Sequence, residues 1–329
     1  MSPDRDKTGW SLGLASVTGT SHLETGLPCQ DFAACRTSGD QLVAVVCDGA
    51  GSADQADIGA RISAETVAGR LIDAEWSLDP NHPERIHDPI HQAIAQAREK
   101  ITDQLEPDET LADYHTTLVG IVADEGGACF FHIGDGLGLA ALPELCRDDE
   151  QANGSVHYWE RMAFSRPENG WFANETYFLT QDRWENHLRF KHLVQPPELV
   201  VLASDGPEPF IVQDGKPNQA FIDVVILQCQ RLDSDKARHA YVEQILSSPK
   251  ADPVTSDDKT LLVAMREKWT RTPLSELQPQ QGEPRETLAS DEADSGERPF
   301  RTEIPEDEAT ESEVDDHAKG APVDDDNGQ

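Results

Sequence analysis

From Trp10 to about Met265, short apolar runs alternate with glycine, proline and acidic turn residues; after Trp269 the runs cease. "WSLGLASVTG", "QLVAVVCDG", "TTLVGIVAD", "ACFFHIGDG", "LGLAAL", "ELVVLASDG" and "KTLLVAMRE" have the length and apolar content of strands. Asp54 to Leu71 reads as a helix, with Ile58 and Ile62 on one face and Ala60, Val67 and Leu71 on the opposite one. A helix apolar on two sides is covered on two sides. Ile90, Ile94, Ile101 and Leu105 share a single face, so that second helix belongs on the surface of the fold. Two more helices are expected around Gln219–Leu232 and Asp235–Ser247. Between Pro143 and Gln195 lies a loop-rich insertion whose aromatic islands, "VHYWERMAF" and "NETYFLT", read as short strands. Many strands with grouped helices point to an α+β sandwich rather than a doubly wound sheet.

Composition divides the chain of 329 residues in two. Residues 1–268 are expected to form one domain. Residues 269–329 are rich in Pro, Glu, Asp and Ser and too poor in apolar side chains to offset their ordering entropy, which predicts a disordered acidic tail. That tail is either a regulatory or docking segment or simply a solubilising extension. The formal net charge of −35 argues against a nucleic-acid or anionic-membrane partner, but not against divalent cations. No apolar run approaches membrane-spanning length, and the N-terminus lacks a signal-peptide core, so a cytoplasmic protein is expected; it is read as a monomer. The six cysteines form no C-x-x-C pair; scattered thiols in a long chain suit a reducing compartment.

The chemistry lies at the strand ends. Three apolar runs stop at Asp-Gly: "VAVVCDG" at Asp48, "FFHIGDG" at Asp135 and "LVVLASDG" at Asp205. "TSDDKTLLV" places Asp257 and Asp258 just before a strand, and "PCQDFAAC" places Asp31 before another. Any one Asp-Gly is accounted for as a turn. The recurrence suggests instead that several carboxylates meet at one rim of the sandwich, where hard cations such as Mg²⁺ or Mn²⁺ take oxygen ligands. Glycine beside the carboxylate permits close backbone approach.

In order and approximate spacing, "VAVVCDGAGS…IGA", "TTLVGIVA…FFHIGDG", "LVVLASDG" and "SDDKTLLV" resemble the metal-dependent protein phosphatase 2C (PPM) family, its bacterial-type branch above all, over roughly Trp10 to Met265. The resemblance implies a four-layer α-β-β-α sandwich of two antiparallel sheets. It implies hydrolysis of phosphoserine and phosphothreonine in proteins, opposing a Ser/Thr kinase, with two Mn²⁺ or Mg²⁺ ions and a third, looser one. Asp48 and Asp205 would be the catalytic pair. Asp48 would bridge the two metals with the Gly49 carbonyl on one, Asp205 and Asp257 would complete the first metal's shell, and Asp31 would lie near the second metal. Asp135 would help hold the third ion, and Asp258 ranks below Asp257.

Three departures accompany the resemblance. Gln30 stands where the family often has Glu. No arginine precedes it to grip the substrate phosphate, leaving His22 as the nearest candidate, although a solvated or capping role suits that histidine better. Ala50 replaces a histidine that eukaryotic members carry. The first two motivate an alternative, a phosphatase-like scaffold that binds phosphoproteins with little turnover.

Other signals fall away. "GWSLG" matches a serine-hydrolase elbow, but a strand-like run follows it where a helix is required. The chain lacks C-x₅-R, a phosphate-binding G-x-x-x-x-G-K-[ST] loop and H-E-x-x-H. His82, His87 and His91 fall on or before a surface helix and are expected to be solvated.

Overall fold

The computed structural model describes residues 9–143, 162–167 and 176–267. In chain order the elements are β1 (Trp10–Val17), α1 (Thr20–Thr25), β2 (Asp31–Ser38), β3 (Gln41–Asp48), α2 (Ala56–Asp73) and α3 (His87–Thr102). They continue with β4 (Leu118–Asp124), β5 (Gly127–Ile133), β6 (Leu137–Ala141), β7 (Ala163–Ser165), β8 (Arg189–Leu193) and β9 (Leu199–Ala203). The last are a single helical turn, α4 (Glu208–Ile211), the ribbon β10 (Val212–Gln213) and β11 (Lys216–Pro217), α5 (Gln219–Arg231), α6 (Asp235–Leu246) and β12 (Lys259–Arg266).

Two five-stranded sheets, ordered β1-β12-β9-β6-β7 and β2-β3-β4-β5-β8, are antiparallel throughout. Alternate residues of each buried run serve different layers, as the two-residue repeat of a strand requires. Leu42, Ala44 and Val46 of β3, Val119 and Ile121 of β4, Val200 and Leu202 of β9 and Leu262 of β12 share the core between the sheets. Val43, Val45 and Cys47 face the other way, onto Ala60, Ala64 and Val67 of α2 and Ile90 and Ile94 of α3. Val201, Val263 and Met265 pack under Ile222, Val225 and Ile226 of α5 and Val242 of α6. The layers are therefore α-β-β-α. The strand runs are apolar without alternation because both of their faces are covered.

The two-sided pattern of α2 has its counterpart here. Its Ala60, Val67 and Leu71 lie on the sheet, while Ile62, flanked by Ile58, packs with Ile101 and Tyr114 in a separate small cluster. β1 is an edge strand, and α6 satisfies it: Leu12 N donates to Asp235 Oδ1 (2.8 Å) and Leu14 N to His239 Nδ1 (2.8 Å). Ser11 thus sits inside a paired strand opposite Met265, not at a strand-to-helix elbow.

Several expectations need correction. Of "NETYFLT", residues 174 and 175 lie outside the described residues; the described remainder forms no strand, Thr176 having bridge geometry and turns following from Leu179. Beyond it lies the strand β8, whose half-exposed "RFKHL" has little apolar signal because it is an edge. α1, within a polar stretch, was not expected from the pattern and buries no residue of its own. His87 is half-buried rather than fully solvated: its ring stacks on Phe190 (3.7 Å between centroids), its Nε2 lies 2.9 Å from His192 Nε2, and His91 packs near Trp184. Of "VHYWERMAF", Ala163 and Phe164 lie in β7, and residues 156–161 are outside the described residues, as is the acidic segment 269–329.

Candidate metal centre

Antiparallel pairing determines which strand ends meet. In one sheet the ends of β1 and β9 lie beside the starts of β12 and β6, since Val17 pairs with Lys259, and Ala203 with both Leu261 and Leu137. In the other, the ends of β3 and β5 lie beside the starts of β2 and β4: Asp48 pairs with Asp31, Val46 with Val119 and Ile133 with Leu118. Asp205 follows β9, Asp135 precedes β6, Asp257 and Asp258 precede β12, and Asp48 closes β3. All converge on one rim.

There they line a single pocket of about 270 Å³ with His22, Gln30, Gly49, Thr117 and Phe178 among its other walls. Five aspartates, Asp48, Asp135, Asp205, Asp257 and Asp258, contribute to the lining, and no lysine or arginine does so among the described residues. Two unit charges 4 Å apart repel by about 4 kcal/mol at an effective dielectric of 20, so this grouping is unfavourable without positive charge or protons. Burial, followed by the charges of Asp31 and Asp205, pushes the Asp48 carboxyl well above the usual carboxylate range. Burial also raises Asp205, which a hydrogen bond with Asp48 partly offsets, and burial raises Asp135.

Backbone and hydroxyl groups hold Asp48 in place. Its N–H donates to Thr117 Oγ1 (3.2 Å), and its carbonyl accepts from Thr117 N (2.8 Å) and Thr116 Oγ1 (2.9 Å). Gly49 is wedged beside it, bridged to Thr116. A side chain at Gly49 would place its Cβ 2.7 Å from the carbonyl oxygens of both Ala56 and Gln30, so only glycine fits.

The remaining sequence candidates are placed as follows. Asp258 has its oxygens engaged: Oδ1 accepts from Gly19 N (2.7 Å), and Oδ2 from Gln30 N (2.5 Å) and lies 2.9 Å from His22 Nδ1. It pins α1 and the start of β2 to the rim. His22 lines the pocket on that support. Asp31 is buried behind the pocket and accepts from Ser204 Oγ (2.6 Å); burial raises its carboxyl, and the serine partly offsets this. Thr116, Thr117 and Ser204 are supporting residues without a role in the sequence reading, although the threonines stand within the quoted "TTLVGIVA". Lys259, also unassigned, is buried beside the rim, its Nζ donating to the Asp257 carbonyl (3.2 Å).

The donor set fits a hard divalent cation. Asp205 Oδ1 and Gln30 Oε1 are buried oxygens without a hydrogen-bond partner, and both residues line the pocket. Among the described residues no three carboxylate, imidazole or thiol groups close on one point as a finished cage. The carboxylates ring the pocket instead, an arrangement suited to ions that keep several waters.

Comparison with known proteins covers most of the chain. Residues 18–247 match the family model described as protein phosphatase 2C. Serine/threonine-protein phosphatase 3 of Escherichia coli (strain K12) is 26% identical over 276 residues, covering 78% of this chain and 98% of that protein. A bacterial serine phosphatase of solved structure aligns with a TM-score of 0.52 at 14% identity, covering 79% of this chain and 99% of the other. The Mycobacterium tuberculosis serine/threonine phosphatase PstP/Ppp aligns at 0.51 and 14%, covering 78% and 99%. At these identities the structural likeness concerns the fold.

Proposed function

The chain belongs to the protein phosphatase 2C family, and from that premise we propose that it is a metal-dependent protein serine/threonine phosphatase whose Asp48, Asp205 and Asp257 hold two divalent cations. The Gly49 carbonyl would contribute to the same site, Asp135 would serve a third, looser ion, and Asp31 and Asp258 would support the site from behind and beside it. The carrying observation is the charge of the pocket: five aspartates and no lysine or arginine among its described walls. A phosphomonoester dianion is repelled from such a site unless cations accompany it.

When bound, Mn²⁺ or Mg²⁺ supplies Lewis acidity, neutralising phosphoryl charge and lowering the pKa of water. The chain supplies position. Asp48 is fixed by Thr116 and Thr117 so that its carboxylate presents to the pocket alongside Asp205. Asp258 occupies Nδ1 of His22, leaving Nε2 to contact a phosphate oxygen in the role that the missing arginine would fill. Gln30 offers an uncharged oxygen where a carboxylate is more usual. The substrate is a phosphorylated protein, with a Ser/Thr kinase opposing the enzyme. A cytoplasmic monomer completes the proposal, supported by the free thiols of Cys29, Cys35, Cys47, Cys129 and Cys229. No helix among the described residues is long and apolar enough to cross a membrane.

The test is turnover of p-nitrophenyl phosphate with Mn²⁺ by the full chain and by Asp48→Asn and Asp205→Asn. Each variant is expected to lose at least about 100-fold in kcat, with far-UV circular dichroism unchanged. Wild-type rates in both would overturn the assignment.

A further inference from the structure

In a chain with a formal net charge of −35, three cationic side chains gather where two edge strands meet near the pocket. Arg166 follows β7, and Arg189 and Lys191 lie on β8, the edge strands of the two sheets on that side. Arg189 Nη1 donates to the Arg166 carbonyl (2.9 Å) and Lys191 Nζ to the Phe164 carbonyl (2.8 Å), lacing the edges together. Arg166 lies over the Phe164 ring (4.4 Å) and donates through Nη1 to the Gly215 carbonyl (3.2 Å). The three cations are mutual neighbours. Partial burial and the nearby Arg166 charge hold the Lys191 ammonium below its ordinary range.

Two features separate this cluster from simple edge lacing. The first is location. Arg189 Nη2 reaches the Gly134 carbonyl (3.4 Å), one residue before the pocket's Asp135, and Gly215 lies on the ribbon that follows Asp205 and α4. The second is unspent capacity. Arg166 and Lys191 are exposed, and their hydrogen bonds end on backbone carbonyls, which leave their full charge uncompensated. A guanidinium has five N–H donors and an ammonium three; the described bonds use one of each. Neither cation is in an ion pair among the described residues. Concentrating positive charge in a strongly acidic molecule opposes its self-repulsion only locally, on the side of the sandwich where Arg189 reaches Gly134, next to the pocket's Asp135.

We infer that Arg166 and Lys191, braced by Arg189, receive acidic side chains that flank the phosphorylated residue of a protein substrate. This rests on the phosphatase reading and adds a substrate class, phosphosites in acidic sequence. The occupant is chosen by charge complementarity: carboxylates pair with an arginine–lysine cluster, and the aspartate-lined pocket beside it repels them unaided.

The test compares two phosphothreonine peptides, one flanked by Asp and Glu, the other by Asn and Gln, on the full chain and on Arg166→Gln/Lys191→Gln. The glutamines keep the side-chain stems and remove the charge. With Mn²⁺, the wild type is expected to show a KM three- to tenfold lower for the acidic peptide, an advantage that shrinks as salt is raised. The double variant should lose that advantage while its kcat and its rate on p-nitrophenyl phosphate stay unchanged. Fluorescence anisotropy of the labelled peptides reads the same preference without turnover. An acidic preference in binding that the double variant lacks supports the inference even if neither peptide is hydrolysed, in which case only the phosphatase reading fails. No acidic preference, or an equal one in the wild type and the double variant, overturns the inference and leaves the phosphatase reading standing.

Discussion

His132 is sealed within the sandwich, its Nδ1 3.0 Å from Ser165 Oγ. Burial, reinforced by the Arg189 charge, pulls its pKa down to about 3 from an ordinary 6.5. The folded value lies below the unfolded one, so between pH 6.5 and about 3 the unfolded chain binds a proton that the folded chain refuses. The stabilising contribution is complete above pH 6.5 and is lost as pH falls through that window, at about 1.4 kcal/mol per pH unit. Chemical denaturation of wild type and His132→Gln at pH 7, 6, 5 and 4 should show a pH slope shallower by about one proton in the variant, whatever its absolute stability; equal slopes would refute this. Such residues explain what the sequence concealed. Asp48, Asp135 and Asp205 were legible because each ends an apolar run, a local signal. The clamp of Asp258 on His22 and that of Ser204 on Asp31 join residues 236 and 173 positions apart, which no local pattern encodes. The partial cover of His87 escaped the sequence for the same reason, since Phe190 and His192 lie on an edge strand without a clear apolar signature.

At the scale of elements, the rim holds its shape because the segments bearing carboxylates touch through backbone. Gly206 follows Asp205, and a Cβ there would stand 1.9 Å from the Asp258 carbonyl oxygen. Gly206→Ala must push the β9–α4 turn away from the start of β12, separating Asp205 from Asp257. A loss of about 2–4 kcal/mol in stability is expected, with Mn²⁺-dependent activity falling further than the unfolded fraction explains. Activity and stability both within error of wild type would show that the two segments do not need this contact. The buried strands and the four longer helices were legible from periodicity, because each presents a defined face to the core. α1 and β8 were not, because one buries no residue and the other is an edge half exposed to solvent.

For the molecule as a whole, two antiparallel sheets bring the ends of β3, β5 and β9 and the start of β12 to one rim, and the sandwich thereby concentrates negative charge that strand order alone assembles. The α-β-β-α layering was legible through the family resemblance and the grouping of helices. The cationic flank was not, since its three members come from two edges of different sheets.

The central claim is that these distant aspartates act as one receptor for cations. Isothermal titration calorimetry of the full chain with Mn²⁺ at pH 7.5 tests it most directly, with Asp48→Ala and Asp205→Ala alongside. The account predicts two ions bound by the wild type and a loss of at least one site, or a tenfold or greater loss of affinity, in each variant. Binding absent from the wild type, or unchanged in both variants, would contradict it.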